Sequence, residues 1–423
     1  MPTLQKLNAR QIIDSRGNPT IEVDATLSDS SFGRASIPSG VSAGVHEALE
    51  LRDGDAAVFG GKSVFKAVAN VNDTIAKAMQ QKDIADQRSF DQALLALDGT
   101  PNKAKLGANA ILGVSMAVCR ARAMSEKRSL WQSLADQYGI KNPVCLPVPQ
   151  MVLVEGGVHS DAGLSFQEFM VIPDGFSRFS DAIRAGAEIF MHLKKILHKA
   201  GHSTAVGDEG ACAPHLKTAD EVLTILASAI HAAGYDGKVR FALDAAASEF
   251  CKDGAYTVDG KTLSSGELVA YYKNLCAKFP ILSIEDSHSE DDWDGFAQLK
   301  KATKGELQLV GDDLLVTNTK RIQTAIEKDA VNAVLIKVNQ IGSVTETVDA
   351  VFLTQKQGWN AIVSHRGGDT EDTFISHLAV ALGTGQIKTG SLSRGERTAK
   401  YNELLRIEEE LGGKAKYVSP FKS

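Results

Sequence analysis

The chain has 423 residues, an apolar content of 43% and a formal net charge of −6. This length exceeds what one small core fills, so we expect two domains. The negative charge argues against a general nucleic-acid binder, which needs a basic surface, and no apolar run approaches the length of a membrane span.

The N-terminus, MPTLQKLNARQ, lacks the apolar segment of a secretory signal. The five cysteines are odd in number and widely spaced, and none forms a CxxC pair. A disulfide framework or a thiolate zinc site is therefore not expected. These features favour a cytoplasmic protein.

Strand-like alternation opens the chain in IEVDATL and FGRASIP, and helical spacing follows in NKAKLGANAILGVSMAVCRARAMSEK. This mixture predicts a small α+β domain. The stretch GIKNPVCLPVPQ, residues 139–150, is rich in proline and marks a plausible boundary. We therefore predict an N-terminal α+β domain over residues 1–137 and an α/β domain over residues 138–423.

The second part alternates short apolar runs with amphipathic helical stretches. The runs are VRFALD (239–244), ILSIED (281–286), LQLVGDD (307–313), AVLIKVN (333–339), AIVSHR (361–366) and QIKTG (386–390). Their spacing is roughly what one strand, a loop and a crossover helix require. Six such units predict a parallel sheet, and a closed (β/α)8 barrel is its simplest form.

Three consecutive strands of this barrel end in carboxylates, Asp244, Glu285 and Asp312. Because the C-terminal ends of barrel strands meet at one mouth, these groups would repel each other. Three carboxylates, together with water and substrate oxygens, suit octahedral Mg²⁺. Zinc is disfavoured because the sequence has no His/Cys cluster and no HExxH segment.

The next strand carries Lys337 inside an apolar run. Burial and a nearby cation both lower the pKa of an ammonium group, which predicts a neutral amine at this position. Such an amine beside a metal ion is a general base for a carbon acid. Lys388, two strands on, would lower that pKa further and stabilise developing negative charge. The alternative is a structural ion pair between Lys337 and a barrel carboxylate.

The segments of the chain, taken in order, resemble those of the enolase family over nearly the whole length. They are ARQIIDSRGNPTIEV, FGRASIPSGVSAGVHEALELRDGD, NKAKLGANAILGVS, QEFM, VGDEG, ALDAAASEF, SIED, GDDLLVTN, LIKVNQIG, VSHRGGDTEDTFI, IKTG and SRGERTAKYNELLRIEEELG. The resemblance implies an enolase-type barrel with irregular first strands, capped by the N-terminal domain. It also implies dehydration of 2-phosphoglycerate to phosphoenolpyruvate.

The resemblance assigns roles position by position. Lys337 resembles the base that removes the C2 proton, and Glu209, in VGDEG, resembles the acid that assists departure of the C3 hydroxyl. The positions that match substrate-binding groups are His159, Gln167, Glu168, His365, Arg366 and Lys388. The positions that match metal ligands are Asp244, Glu285, Asp312 and, in a mobile loop, Ser42.

The same resemblance implies two Mg²⁺ ions per active site and a small phosphorylated carboxylate as substrate. It implies a homodimer or a higher homo-oligomer. No nucleic-acid partner and no membrane partner are expected.

Several positions near these residues depart from the family pattern, among them SIEDS in place of SIEDP and GDEGA in place of GDEGG. Glu155 stands where an asparagine is usual, and Val158 where a serine is usual. Ala43 lacks a hydroxyl in the mobile loop, and Gly367 replaces a serine that is expected to contact phosphate. Because the acid, base and metal set is intact, we predict an active enzyme, and because Gly367 lacks the hydroxyl we predict a raised KM.

Two other interpretations stay open. Racemases and cycloisomerases of the same superfamily share the barrel and the metal carboxylates, but generally lack the GDEG and SHR…TEDTF segments present here. A divergent copy with a non-catalytic binding role is the second. Assays with a panel of carboxylic acids, and Mg²⁺ binding, would separate these possibilities.

Overall fold

A computed structural model describes residues 2–40, 46–160 and 163–421 of the chain. Within these ranges the N-terminal part opens with an antiparallel sheet in the order β1–β2–β3. Its strands are β1 (Leu4–Ile13), β2 (Pro19–Leu27) and β3 (Phe32–Ser36). The helices that follow are α1 (Phe65–Ala69), α2 (Ala76–Met79), α3 (Gln87–Asp98), α4 (Ala108–Ser125) and α5 (Leu130–Gln137).

The two faces of β2 carry different chemistry because side chains alternate along a strand. Val23 packs against α4, where Gly113 leaves room for it. Glu22 and Asp24 point to the other face, where Arg10 and Arg34 pair with them. The predicted α+β domain is thus a sheet with one apolar face covered by helix α4.

The second part contains the remaining strands. They are β4 (Cys145–Leu146), β5 (Val148–Glu155), β6 (Glu168–Ile172), β7 (Arg240–Asp244), β8 (Cys251–Lys252), β9 (Ala255–Val258), β10 (Lys261–Leu263), β11 (Ile281–Glu285), β12 (Gln308–Gly311), β13 (Ala333–Ile336), β14 (Asn360–Ser364), β15 (Gly385–Lys388) and β16 (Lys416–Tyr417). Eight of these described strands close a barrel in the order β5, β6, β7, β11, β12, β13, β14, β15. The predicted barrel is confirmed.

Strand β6 runs against the rest of the barrel. It pairs antiparallel with both β5 and β7, whereas the other neighbouring strands pair in parallel. A reversed strand begins, rather than ends, at the mouth. Glu168, the first residue of β6, therefore reaches the same rim as Asp244, the last residue of β7, and the two residues are paired in the register.

Helices surround the barrel and connect its strands. They are α6 (Phe179–Lys199), α7 (Ala219–Ala233), α8 (Ser265–Lys278), α9 (Trp293–Ala302), α10 (Thr319–Lys328), α11 (Val338–Ile341), α12 (Val344–Lys356), α13 (Phe374–Ala381) and α14 (Gly395–Leu411). Across the described residues, no helix is long and apolar enough to cross a bilayer. All five cysteines are unpaired, as predicted.

The barrel interior is layered. A small apolar cluster consists of Val310, Ala333, Leu335 and Ile362. Buried glutamines bond to one another in a separate layer, where Gln386 Nε2 donates to Gln308 Oε1 at 2.8 Å and Gln150 Nε2 donates to Gln386 Oε1 at 2.9 Å. The charged residues lie beyond these packed layers, at the mouth.

The N-terminal part contacts the mouth of the barrel. Ser39 and Gly368 exchange backbone hydrogen bonds at 2.7 and 3.0 Å, and the amide of Ala48 donates to the carbonyl of Gln340 at 2.8 Å. Gly368 permits the close approach, because a Cβ there would lie 2.5 Å from Ser39 Oγ. The segment that leads toward the predicted mobile loop is therefore anchored beside the site.

Candidate active site

The predicted site residues converge at the mouth. One polar cavity of about 50 Å³ is lined by His159, Gln167, Glu168, Glu209, Asp244, Asp312, Lys337, His365, Arg366 and Lys388. Gln167 donates from Nε2 to Asp244 Oδ2 at 3.2 Å. Glu285 does not line this cavity but forms an ion pair with Lys388, which does. Ser42 and Ala43 fall outside the described residues.

Lys388 crosses the mouth to meet carboxylates on three other strands. Its Nζ lies 2.8 Å from Glu285 Oε1, 2.9 Å from Glu168 Oε2 and 3.0 Å from Asp244 Oδ2. Burial lowers the pKa of this ammonium, but the charges of the acids, Asp244 foremost, outweigh it and raise the pKa well above its ordinary value. Lys388 is thus a fixed positive charge.

Glu285 nevertheless retains a free coordinating oxygen. Glu285 Oε2 is buried and has no hydrogen-bond partner among the described residues. Burial and the charge of Asp244 raise the pKa of Glu285 well above its ordinary value. An orphaned buried oxygen among carboxylate donors fits a hard divalent cation. Of the predicted metal residues, Glu285 therefore has an oxygen that suits a metal ion.

Asp312 does not join the other two predicted ligands in one compact group. It lies in a cluster with Asp286 and Asp313, and one oxygen from each of the three residues lies within 4.8 Å of the other two. Asp312 Oδ2 accepts from Lys337 Nζ, and its Oδ1 accepts from Gln340 Nε2 at 3.0 Å. In this arrangement Asp312 is the partner of Lys337.

The charge state of Lys337 differs from the prediction. Burial lowers the pKa of the ammonium, as expected, but the Asp312 charge outweighs burial and the net shift is upward. The predicted downward shift is therefore wrong for this arrangement of charges. The Lys337–Asp312 ion pair is also the contact expected if Lys337 has only a structural role. The positions of the other groups at the mouth therefore have to distinguish a structural role from a catalytic one.

The acids of the opposite wall form a second cluster. His159 Nδ1 lies 3.7 Å from Glu168 Oε1 and 3.8 Å from Glu209 Oε1, and His365 Nε2 lies 3.1 Å from Glu209 Oε2. Burial and the charge of Glu209 raise the pKa of Glu168 well above its ordinary value. Burial also acts upward on Glu209, but His365 and His159 hold its pKa well below that value. Of these two acids, Glu168 retains its proton to higher pH.

The strand order sets these groups on opposing walls. Strands β6 and β13 are four positions apart in a closed ring of eight, so they face each other across the barrel. Glu168 begins β6, and Lys337 directly follows β13. Asp244, Glu285 and Asp312 occupy the wall between them. A small molecule at the mouth would have a lysine on one side and a carboxyl pair on the other.

Two family models match the chain. The one described as the N-terminal domain of enolase matches residues 4–134, and the one described as the C-terminal TIM barrel domain of enolase matches residues 143–421. The chain belongs to the enolase family. This membership makes it an enzyme of the lyase or isomerase type, and the family fold, together with the acidic clusters, favours divalent-metal binding.

Arg397 supports the enolase-family site from helix α14, and sequence reasoning gave it no role. Its guanidinium is buried and donates to His365 Nδ1 at 2.5 Å and to the Gly367 carbonyl at 2.7 Å. Because arginine only donates, Nδ1 is the acceptor and the proton of a neutral ring lies on Nε2, toward Glu209. A signal was present, since Arg397 and Lys400 share the face of α14 that buries Leu404.

Arg366 is held between the two parts of the chain. Its guanidinium bonds both oxygens of Glu47 at 3.0 and 3.1 Å, and it donates to Asn339 Oδ1 at 3.1 Å. Glu47 was not predicted as a site residue. An anionic ligand at Arg366 would compete with this carboxylate, so ligand binding and the contact between the two parts are linked.

Three departures from the family pattern, at positions 155, 158 and 367, lie among the described residues. The Gly367 carbonyl accepts from Arg397 and, at 3.3 Å, from Ser15 Oγ, so the backbone is fixed although the side chain is missing. Val158 is 46% exposed at the rim. Glu155, by contrast, is fully buried beneath the segment that carries Glu209.

Proposed function

We propose that this chain dehydrates 2-phosphoglycerate to phosphoenolpyruvate. The observation that carries the proposal is the opposed placement of Lys337 and the Glu168–Glu209 pair across one cavity. Elimination of water needs a base at the C2 hydrogen and an acid at the C3 hydroxyl. With these groups on facing walls, the proton and the hydroxyl depart from opposite faces of the substrate.

Each side chain then has a defined task. Lys337 takes the C2 proton, and the electron pair of that C–H bond spreads toward the substrate carboxylate. Lys388, already a fixed cation, stabilises the charge that develops there. As the C2–C3 double bond forms, the C3–O bond breaks and Glu209 supplies the proton that turns the departing hydroxyl into water.

The proton for the second step is held locally. The pKa of Glu168 is raised and the pKa of Glu209 is lowered, so Glu168 is the acid of the pair that binds a proton more tightly. One oxygen from each acid lies within 4.8 Å of the other and of a His159 ring nitrogen. The proposal therefore includes transfer of this proton to Glu209, with His159 and His365 holding the pair in place.

A divalent cation, proposed to be Mg²⁺, would be held by Asp244, Glu285 and Asp312, and would offset negative charge on the substrate carboxylate so that C2 becomes more acidic. Its positive charge would also offset the Asp312 charge that raises the pKa of Lys337. Two Mg²⁺ ions per site, with Ser42 at the second, belong to the proposal.

Arg366 is proposed to bind the substrate phosphate, because a guanidinium fork matches phosphate oxygens. The proposal also includes a homodimer or a higher homo-oligomer and a cytoplasmic location.

The test is product formation from 2-phosphoglycerate, followed by ultraviolet absorbance with and without Mg²⁺. We expect turnover only with the metal, and loss of turnover in Lys337→Ala. The control is Lys278→Ala, which removes an exposed lysine paired with Asp220. Turnover at background level in the wild type, with activity on another carboxylic acid of the panel, would overturn this assignment in favour of a related lyase or isomerase.

A further inference from the structure

Glu155 is a buried acid that the mechanism above does not use. It ends β5, and none of its surface is exposed. Its Oε1 accepts from the amide of Ala211 at 2.7 Å and from the amide of Glu209 at 3.1 Å, and its Oε2 lies 3.2 Å from the same Glu209 amide. One carboxyl group thus holds the backbone on both sides of residue 210.

The segment 207–212 is built around this contact. Gly207 lies directly over the carboxyl group, where a Cβ would come within 2.3 Å of Glu155 Oε2. The C-terminal end of the segment is held separately. The Cys212 amide donates to the Leu153 carbonyl at 3.0 Å, and the Glu155 amide donates to the Cys212 carbonyl at 2.9 Å. Among the described residues, the Glu209 and Ala211 amides have no other acceptor.

These contacts fix the direction of the Glu209 side chain. Its carboxyl lies opposite His365 Nε2 and His159 Nδ1, on the wall that faces Lys337. The pinned amide fixes the backbone from which this side chain extends, and the two histidines hold the carboxyl group itself. Displacement of a catalytic group by about 1 Å can cost about a hundredfold in rate.

We propose that Glu155 is a positioning residue, whose carboxyl group clamps the Glu209 and Ala211 amides and so holds Glu209 in line to protonate the leaving hydroxyl. The catalytic half of this inference rests on the proposed function. The residue is one of those that depart from the family pattern described above.

The clamp acts as a hydrogen-bond acceptor rather than as a charge. Burial and the neighbouring charge of Glu209 raise the pKa of Glu155 to about 8, although the two amides and Arg397 act in the opposite direction. At neutral pH the group is therefore mainly an uncharged acid. Glutamine has the same length, is also uncharged and keeps one carbonyl acceptor, so it is the conservative replacement.

The experiment compares Glu155→Ala, Glu155→Gln and a matched control. Glu408 clamps two backbone amides in the same way, those of Phe179 at 2.8 Å and Ser180 at 3.0 Å, outside the site. Hydrogen exchange of the Glu209 and Ala211 amides is measured beside kcat and KM. We expect Glu155→Ala to lose the protection, to lower kcat about a hundredfold and to change KM less than about threefold, because the interaction acts in the transition state.

Glu155→Gln should recover protection and most of kcat. Glu408→Ala should lose protection at its own two amides and keep kcat. If Glu155→Ala does not fold, Gly207→Ala perturbs the same contact from the other side and should give the same split between kcat and KM.

Unchanged kcat despite lost protection, or equal losses in the glutamine and alanine variants, would overturn the proposal. Retained protection in Glu155→Ala would overturn the clamp itself. An inactive wild type would instead overturn the proposed function and the catalytic half of this inference, while the exchange result would still decide the clamp.

Discussion

Two lysines at one mouth, the buried Lys388 and the partly exposed Lys337, have different roles because their surroundings differ. Lys388 contacts three carboxylates, so removing its proton would leave an uncompensated group of negative charges. Lys337 contacts one carboxylate, which Gln340 also stabilises. The lysine with the smaller electrostatic restraint is the better candidate for proton transfer. From the sequence both lysines could be placed at the mouth, but their partners depend on side-chain reach across the barrel.

The proposed Mg²⁺ ligands predict that the metal increases the free energy of unfolding. Mg²⁺ that binds only the folded protein should stabilise it by about 2.7 kcal/mol when its concentration is 100 times Kd. Glu285→Gln removes an orphaned carboxylate oxygen and should reduce this gain, whereas Glu306→Gln, at an exposed position, should not. Thermal unfolding with and without Mg²⁺ measures both. Equal gains in the two variants would contradict the assignment.

Gly367 predicts a weakness in substrate binding. A hydrogen bond to a charged group contributes about 1.5–3 kcal/mol, so Gly367→Ser should lower KM about tenfold if the new hydroxyl reaches the phosphate. Because the hydroxyl would bind substrate and transition state alike, kcat should stay the same. Steady-state kinetics of the two proteins decide this. An unchanged KM would show that the missing hydroxyl is not the cause of weak binding.

Among the elements, β6 shows most clearly what the sequence could and could not predict. The six parallel units followed from the spacing of apolar runs, but β5 and β6 are uniformly buried and their residues alone give no direction. The connection does contain a signal. Among its described residues, 156–160 and 163–167, there is one short helical turn, Gly157–His159, and no crossover helix of the kind that usually joins parallel neighbours. An antiparallel pair, with Glu168 at the mouth, could have been inferred from that short connection.

The packing of α4 on the N-terminal sheet predicts how glycine substitutions change the stability of the protein. Gly33 touches α4 so closely that a Cβ would lie 2.1 Å from the Ala117 carbonyl oxygen and 2.4 Å from the Ala121 amide nitrogen. Gly33→Ala should therefore destabilise the chain by about 1–3 kcal/mol, the usual cost of overpacking. At Gly266, in α8, an added Cβ would meet no atom within 4 Å, so Gly266→Ala should be neutral or stabilising. Denaturant unfolding compares them, and a neutral Gly33→Ala would contradict this packing.

At the scale of the whole molecule, polar contacts join the two parts. Asp91 of α3 accepts from the Thr345 amide at 2.9 Å and from Ser115 Oγ at 2.7 Å, and Arg88 pairs with Asp349 at 2.7 Å. The sequence predicted both parts but none of these contacts. The bonds from Asp91 to Thr345 and from Arg88 to Asp349 join positions more than 200 residues apart in the chain, and each partner alone resembles an ordinary polar residue of a helix.

Asp91 makes the stability of the molecule pH-dependent. Burial raises its pKa from 3.8 to about 6, although Ser115 and Thr345 act in the opposite direction. The folded state therefore binds its proton more tightly than the unfolded state, so this contribution is fully present below about pH 4 and is lost as pH rises through about 6, by about 3 kcal/mol at about 1.36 kcal/mol per unit. Asp91→Asn cannot titrate, so its destabilisation relative to wild type should be largest near pH 4 and smaller at pH 7. Unfolding curves at both pH values measure this, and a pH-independent difference would contradict it.

We propose that Lys337 removes a proton from C2 while Glu209, on the opposite wall, protonates the departing hydroxyl. The most direct test is exchange of the C2 hydrogen of 2-phosphoglycerate with deuterated water, followed by NMR. With Lys337 as the base and Glu209 as the acid, we expect Glu209→Gln to exchange this hydrogen although it forms little product. We expect Lys337→Ala to exchange none. Exchange by Lys337→Ala at the wild-type rate would show that another group is the base and would contradict the account.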